Sequence, residues 1–99
     1  MIHRYVSAAQ VEFENARDDY DSKQPGLGER FVGAVEDAAR LICRHPTIAA
    51  QVIPGVRFER VKKFPYLLYY RVEADEVLIV AVAHERRRFG YWKKRLRNV

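Results

Sequence analysis

Two helical stripes separated by a four-residue break constrain the fold of this chain more than any other feature of its sequence. Apolar residues recur at spacings of three and four, which predicts two amphipathic helices. The stripes are Ala9, Phe13, Ala16 and Tyr20, then Phe31, Val35, Ala38 and Ile42. The segment PGLG, residues 25–28, interrupts them, because proline lacks an amide hydrogen and glycine permits a sharp turn. The sequence therefore predicts a helical hairpin, and Ser7 with Gln10 matches the capping box that would start it.

The other segments have the composition of strands. Residues 2–6 predict an edge strand, residues 56–61 alternate like a half-exposed strand, and residues 66–72 are aromatic and β-branched. Residues 77–83 are apolar on both faces, which predicts the central, most buried strand, and Pro54 and Gly55 indicate a loop. We expect an α+β fold in the order β-α-α-β-β-β, a helical hairpin on one face of a small, mainly antiparallel sheet followed by a basic tail. The opposite face of the sheet would be open to a partner.

The size and composition indicate one domain over residues 1–99, with a single cysteine and therefore no intrachain disulfide. The start of the chain lacks the apolar stretch of a secretory signal, so we expect a cytoplasmic protein. The longest apolar run, residues 77–83, is well short of the roughly 20 residues that cross a bilayer, so we expect no membrane span.

Positive charge is concentrated in the tail. Residues 84–99 contain seven Lys or Arg and one Glu, so they account for the net charge of +5. A second basic cluster lies at residues 57–63. Such a surface suits a polyanion such as nucleic acid, although a merely solvated basic face is the alternative.

Two kinds of side chain could carry chemistry. His84, at the end of the central strand, could exchange protons with an RNA hydroxyl or a leaving oxygen, or could simply tie the tail to the sheet. Arg57, Arg86 and one of Arg87 and Arg88 could hold a phosphate, with the remaining arginine solvated or paired with Glu85.

The aromatic pair of the tail allows two interpretations. Tyr91 and Trp92 are either platforms for a base or anchors that pack the tail on the sheet, and anchoring is the better interpretation for Trp92. The three histidines fall on different predicted elements, so the sequence predicts neither a metal site nor a cofactor.

Three segments together resemble the RelE/ParE superfamily, the toxins of bacterial type II toxin-antitoxin modules (the plasmid stabilisation protein family). They are PGLGERF (25–31), VRFERVKKFPYLLYYRV (56–72) and AVAHERRRFGYW (81–92). The resemblance implies a cognate antitoxin as partner. RelE-like members are metal-independent endoribonucleases that cut messenger RNA on the ribosome, whereas ParE-like members poison DNA gyrase and have no established nuclease residues.

On the RelE-like interpretation, which we place first, the resemblance implies a catalytic group of Arg57, His84, Arg86, Arg88 and Tyr91. The alternative is a gyrase inhibitor without catalytic residues. A third alternative is a toxin-like domain that has lost activity. Many relatives have a proline where Phe89 stands, and its replacement would change the loop geometry that aims Tyr91.

Overall fold

The computed structural model describes residues 1–98, which form two α-helices and five strands. The elements are β1 (Ile2–Tyr5), α1 (Ser7–Lys23), α2 (Leu27–Arg44), β2 (Gln51–Ile53), β3 (Val56–Arg60), β4 (Tyr66–Glu73), β5 (Glu76–His84) and a C-terminal 3₁₀ helix (Lys93–Asn98). The predicted α+β fold, with its helical hairpin followed by a run of strands, is confirmed. None of the described helices has the length and hydropathy needed to cross a membrane.

One strand was missed. The segment predicted as a loop forms a short hairpin, in which β2 pairs antiparallel with β3. Gly55 adopts a left-handed conformation with φ of 83°, and its amide donates to Oε1 of Gln51 over 2.6 Å. The sequence does not predict β2, because it has only three residues, too few to show an alternating pattern, and turn-forming residues follow it.

The sheet has the order β1-β5-β4-β3-β2. β1 is parallel to β5 and the other pairs are antiparallel, so β5 is flanked on both sides. All residues from 77 to 83 are buried, which confirms the predicted most buried strand. Because β3, β4 and β5 form a meander, the β3–β4 loop and the segment after β5 lie at the same end of the sheet.

The predicted capping box is wrong. The helix does begin at Ser7, but the residue that caps it is Val6, and no side chain caps this end. The amide of Val6 donates to the carbonyl of Ile79 over 3.0 Å, and Gln10 donates instead to Glu14 over 2.9 Å. The buried junction between β1 and α1 therefore fixes the helix start through the sheet rather than through a local polar motif.

The helices pack on one face of the sheet around an aromatic cluster. Phe31, which is fully buried, lies 5.1 Å from the ring of Tyr20 and 5.1 Å from that of Tyr66, measured between centroids. All four predicted stripe residues of α2 are buried, as are Ala9 and Ala16 of α1. Both stripes thus fill the core between hairpin and sheet, as the sequence predicts.

The opposite face was expected to be open, but the tail covers part of it. Side chains alternate along β4, so Tyr69 points away from the face on which Tyr66 meets the helices. Trp92 is fully buried and its ring centroid lies 4.7 Å from that of Tyr69. Trp92 is therefore the anchor that the sequence favoured, and the chain has a small second core behind the sheet.

Candidate functional site

The meander brings two basic segments together at one end of the sheet. The amide of Glu85 donates to the carbonyl of Pro65 over 2.8 Å, and Arg60 forms an ion pair with Glu85 at 3.7 Å. We call the exposed cationic side chains here the basic end: Arg60, Lys62, Lys63, Arg86, Arg87 and Arg88. One carboxylate among six cations leaves a strongly positive surface.

His84 ties the segment after β5 to the sheet. Its Nδ1 accepts the backbone amide of Arg86 over 3.1 Å, and its ring packs edge-on against Tyr66 with centroids 5.2 Å apart. The backbone carbonyl of His84 accepts the amide of Arg87 over 2.9 Å. Since Nδ1 is an acceptor here, the neutral ring carries its proton on Nε2. These contacts fit the interpretation in which His84 ties the tail to the sheet.

The arginines after His84 differ in their surroundings. Arg87 stacks on Tyr91 with its guanidinium 3.8 Å from the ring centroid. Arg86 and Arg88 are exposed, and over residues 1–98 neither lies within ion-pair distance of a carboxylate. Of the two alternatives for the remaining arginine, the structure fits solvation rather than pairing with Glu85, because the meander places Arg60 opposite that carboxylate.

Tyr91 is held in a polar network. Its phenol donates to Oε2 of Glu12 over 2.6 Å, and Arg95 lies 5.1 Å from the centre of its ring. Burial, together with the hydrogen bond and the charge of Glu12, raises the pKa of Tyr91 despite the opposing charges of Arg95 and Arg87. The phenol is therefore protonated at neutral pH and is already committed as a donor, which makes it a poor proton acceptor.

Glu12 is the residue that sequence reasoning missed. Its carboxylate accepts the amide of Val82 over 3.0 Å and pairs with both terminal nitrogens of Arg95 at 2.8 and 3.0 Å. Arg95 also donates to the carbonyl of Val80 over 3.0 Å. These backbone groups lie on β5 beyond the end of β1, so an ion pair replaces the missing strand pairing. No local signal identifies it, because Glu12 and Arg95 are 83 residues apart.

Arg57 lies away from the basic end. In the register of the sheet it faces Tyr70, which faces Ile79, whereas His84 faces Tyr66. Ile79 and His84 are five positions apart on β5, which is about 16 Å at roughly 3.3 Å per residue. Arg57 lines a recess at the β2 edge of the sheet instead.

The five predicted catalytic residues thus fall into three places. His84, Arg86 and Arg88 lie at the basic end, Tyr91 in the Glu12 network and Arg57 in the recess. Their catalytic roles stay predictions. Among the described residues, no group of three His, Cys, Asp or Glu side chains is placed to hold a metal ion.

Comparison with known proteins identifies the family. No curated protein matches the sequence. A solved structure described as the chromosomal ParDE TA system from P. aeruginosa matches with a TM-score of 0.62 and 20% identity, covering 85% of this chain and 95% of that chain, and it shows the shared fold. A family model described as the ParE toxin of the type II toxin-antitoxin system, parDE, matches residues 4–89. The resemblance noted in the sequence is therefore confirmed, and the chain belongs to the ParE toxin family of the RelE/ParE superfamily.

Proposed function

We propose that this toxin of the type II toxin-antitoxin class acts by binding DNA gyrase, and that the basic end is the contacting surface. The observation that carries the proposal is the dispersal of the candidate catalytic groups. General acid-base cleavage of RNA needs a proton acceptor and phosphate-binding cations within hydrogen-bond reach of one another. Here Tyr91 is bound to Glu12, His84 uses Nδ1 within the turn, and Arg57 is remote.

The composition of the basic end favours binding over catalysis. Arg86 and Arg88 are exposed and precede Phe89 in the chain. Phe89 is 52% exposed and packs edge-on against Trp92, with ring centroids 5.7 Å apart. An exposed aromatic ring among arginines is typical of a protein-protein contact, in which the ring fills a pocket and the charges orient the partner. The match to the ParE family supports the same target class, since ParE-like members are gyrase poisons.

We also propose that a cognate antitoxin neutralises the toxin. The net charge of +5 would attract an acidic partner and speed its association.

A comparison of two assays tests the proposed target. Purified toxin is titrated into a supercoiling reaction with DNA gyrase and, separately, into a ribosome-dependent translation reaction in which messenger RNA integrity is followed. We expect inhibition of supercoiling, and we expect the double variant Arg86→Gln, Arg88→Gln to inhibit at least about tenfold less well, because it removes two interfacial charges.

The matched control is Arg30→Gln, Arg44→Gln, which removes two exposed charges from α2 and should inhibit like the wild type. Cleavage of messenger RNA at toxin concentrations that leave supercoiling unchanged would reject the gyrase proposal and favour the RelE-like interpretation of the sequence.

A further inference from the structure

A recess of about 210 Å³ opens where the chain leaving α2 passes the outer hairpin of the sheet. Its lining residues are Thr47, Gln51, Gly55, Arg57, Tyr70 and Val72. Arg57 is the sole charged member of this lining, and no acidic residue contributes to it. The recess therefore has a positive wall.

The neighbouring polar groups are already engaged. Oε1 of Gln51 accepts the amide of Gly55 over 2.6 Å, and the phenol of Tyr70 donates to the carbonyl of Pro46 over 3.0 Å. In contrast, Nη1 of Arg57 is shielded from solvent and has no hydrogen-bond partner among residues 1–98. A half-buried guanidinium in this situation has lost part of its hydration without gaining a counter-ion.

A carboxylate in the recess would supply the counter-ion that the guanidinium of Arg57 lacks among residues 1–98. The planar guanidinium presents parallel donors that match the two oxygens of a carboxylate, and such charge-assisted hydrogen bonds are stronger than neutral ones. The recess is too small for a folded element but has room for one acidic side chain.

The position of the recess indicates that the carboxylate comes from a protein segment. β2 is the outermost strand on this side, so its far edge is unpaired in the described sheet. Ile48, next to the lining residue Thr47, is 77% exposed. A peptide segment could cover Ile48 while inserting its acidic side chain beside Arg57, whereas free phosphate would leave the apolar side chain uncovered.

We propose that the Arg57 recess is a carboxylate-binding subsite that receives an acidic side chain of the antitoxin. The inference rests on the antitoxin partner named under the proposed function, and it is independent of the gyrase target. It gives Arg57 a role in recognition rather than in phosphate chemistry.

Calorimetric titration of purified toxin with purified antitoxin tests the subsite. We expect Arg57→Gln to weaken the affinity about 10- to 100-fold, the range for loss of a charge-assisted pair. The matched control, Arg97→Gln, removes one exposed tail charge and should change the affinity less than about twofold. Equal affinities for the two variants would overturn the proposal. The titration contains no gyrase, so it tests the subsite even if the toxin does not inhibit gyrase.

A second measurement keeps the test valid if Arg57→Gln folds poorly. In the wild-type toxin, the Nε–H resonance of Arg57 should shift when antitoxin is added and should stay unmoved in an excess of inorganic phosphate alone. A resonance that responds to phosphate but not to antitoxin would show a free-anion site and would overturn the proposal.

Discussion

Tyr91 shows at the scale of one residue how the same side chain can serve chemistry or structure. Its position after the basic segment makes it a candidate for proton transfer, but its hydroxyl donates to Glu12 and its ring contacts the guanidinium groups of Arg87 and Arg95. The carboxylate that it contacts also binds the backbone of β5. Tyr91 therefore links tail, helix and sheet.

Stability above pH 10 should reveal this role. A tyrosine in the unfolded chain ionises near its ordinary pKa of 10.0, whereas burial and Glu12 raise the pKa of Tyr91 in the folded protein. The unfolded state then binds fewer protons, so the free energy of unfolding falls as the pH rises through 10 and beyond.

Without the hydroxyl of Tyr91, the free energy of unfolding should fall less steeply as the pH rises above 10. Tyr91→Phe removes a contribution of up to about 1.4 kcal/mol per pH unit, and part of the slope should remain because burial raises the pKa of Tyr5 to about 12. Urea denaturation from neutral pH to about pH 11 measures it. Identical slopes for Tyr91→Phe and wild type would show that the phenol is not buried in this network.

At the scale of elements, the helical hairpin depends on one glycine. A Cβ at Gly28 would lie 2.7 Å from the backbone oxygen of Arg17 and 2.9 Å from Cβ of Asp21, so α1 and α2 approach too closely for any other residue. Asp21 also accepts the amides of Gly26 and Gly28 at 3.0 and 3.2 Å, which caps α2.

A pair of glycine variants separates packing from helix propensity. Gly28→Ala should destabilise the protein by about 1–3 kcal/mol, because the two helices must move apart. Gly33→Ala, where a Cβ would meet nothing within 4 Å, should instead stabilise it by about 0.5–1 kcal/mol. Thermal unfolding measures both. Equal effects of the two substitutions would contradict the close approach at Gly28.

At the scale of the whole molecule, the tail covers part of the sheet face that the helices leave open. Trp92 fills the centre of this second core against Tyr69, and Phe89 lies at its margin, half in solvent. The arginines of the basic end are therefore followed by a segment that packs on the sheet through Trp92.

Truncation of the buried indole should threaten the fold as a whole. Trp92→Ala should cost about 3–5 kcal/mol, a large part of the roughly 5–15 kcal/mol that stabilises a typical domain. Phe89→Ala, at the exposed margin, should cost less than about 1.5 kcal/mol. Urea denaturation of both variants gives the comparison, and a small loss for Trp92→Ala would contradict the packing of the tail on this face through Trp92.

Local patterns in the sequence determined the helices, their break and the longer strands. The stripes at 9–20 and 31–42, the segment PGLG and the fully apolar run at 77–83 act through hydrophobic burial and backbone preference, which neighbouring residues specify. The sequence also favoured an anchoring role for Trp92, whose burial the structure shows. The local patterns did not predict β2, because a strand of three residues is too short to show an alternation of apolar and polar side chains.

Only the tertiary structure decided which distant residues meet. Strand register placed Arg57 beside Tyr70 rather than near His84, although both lie in basic segments. Folding also joined Glu12 to Tyr91 and Arg95 across 79 and 83 residues. The physical reason is that a charge pattern gives the amount of charge in a segment, whereas pairing depends on register, edge exposure and chain reversal, which arise only when the sheet forms.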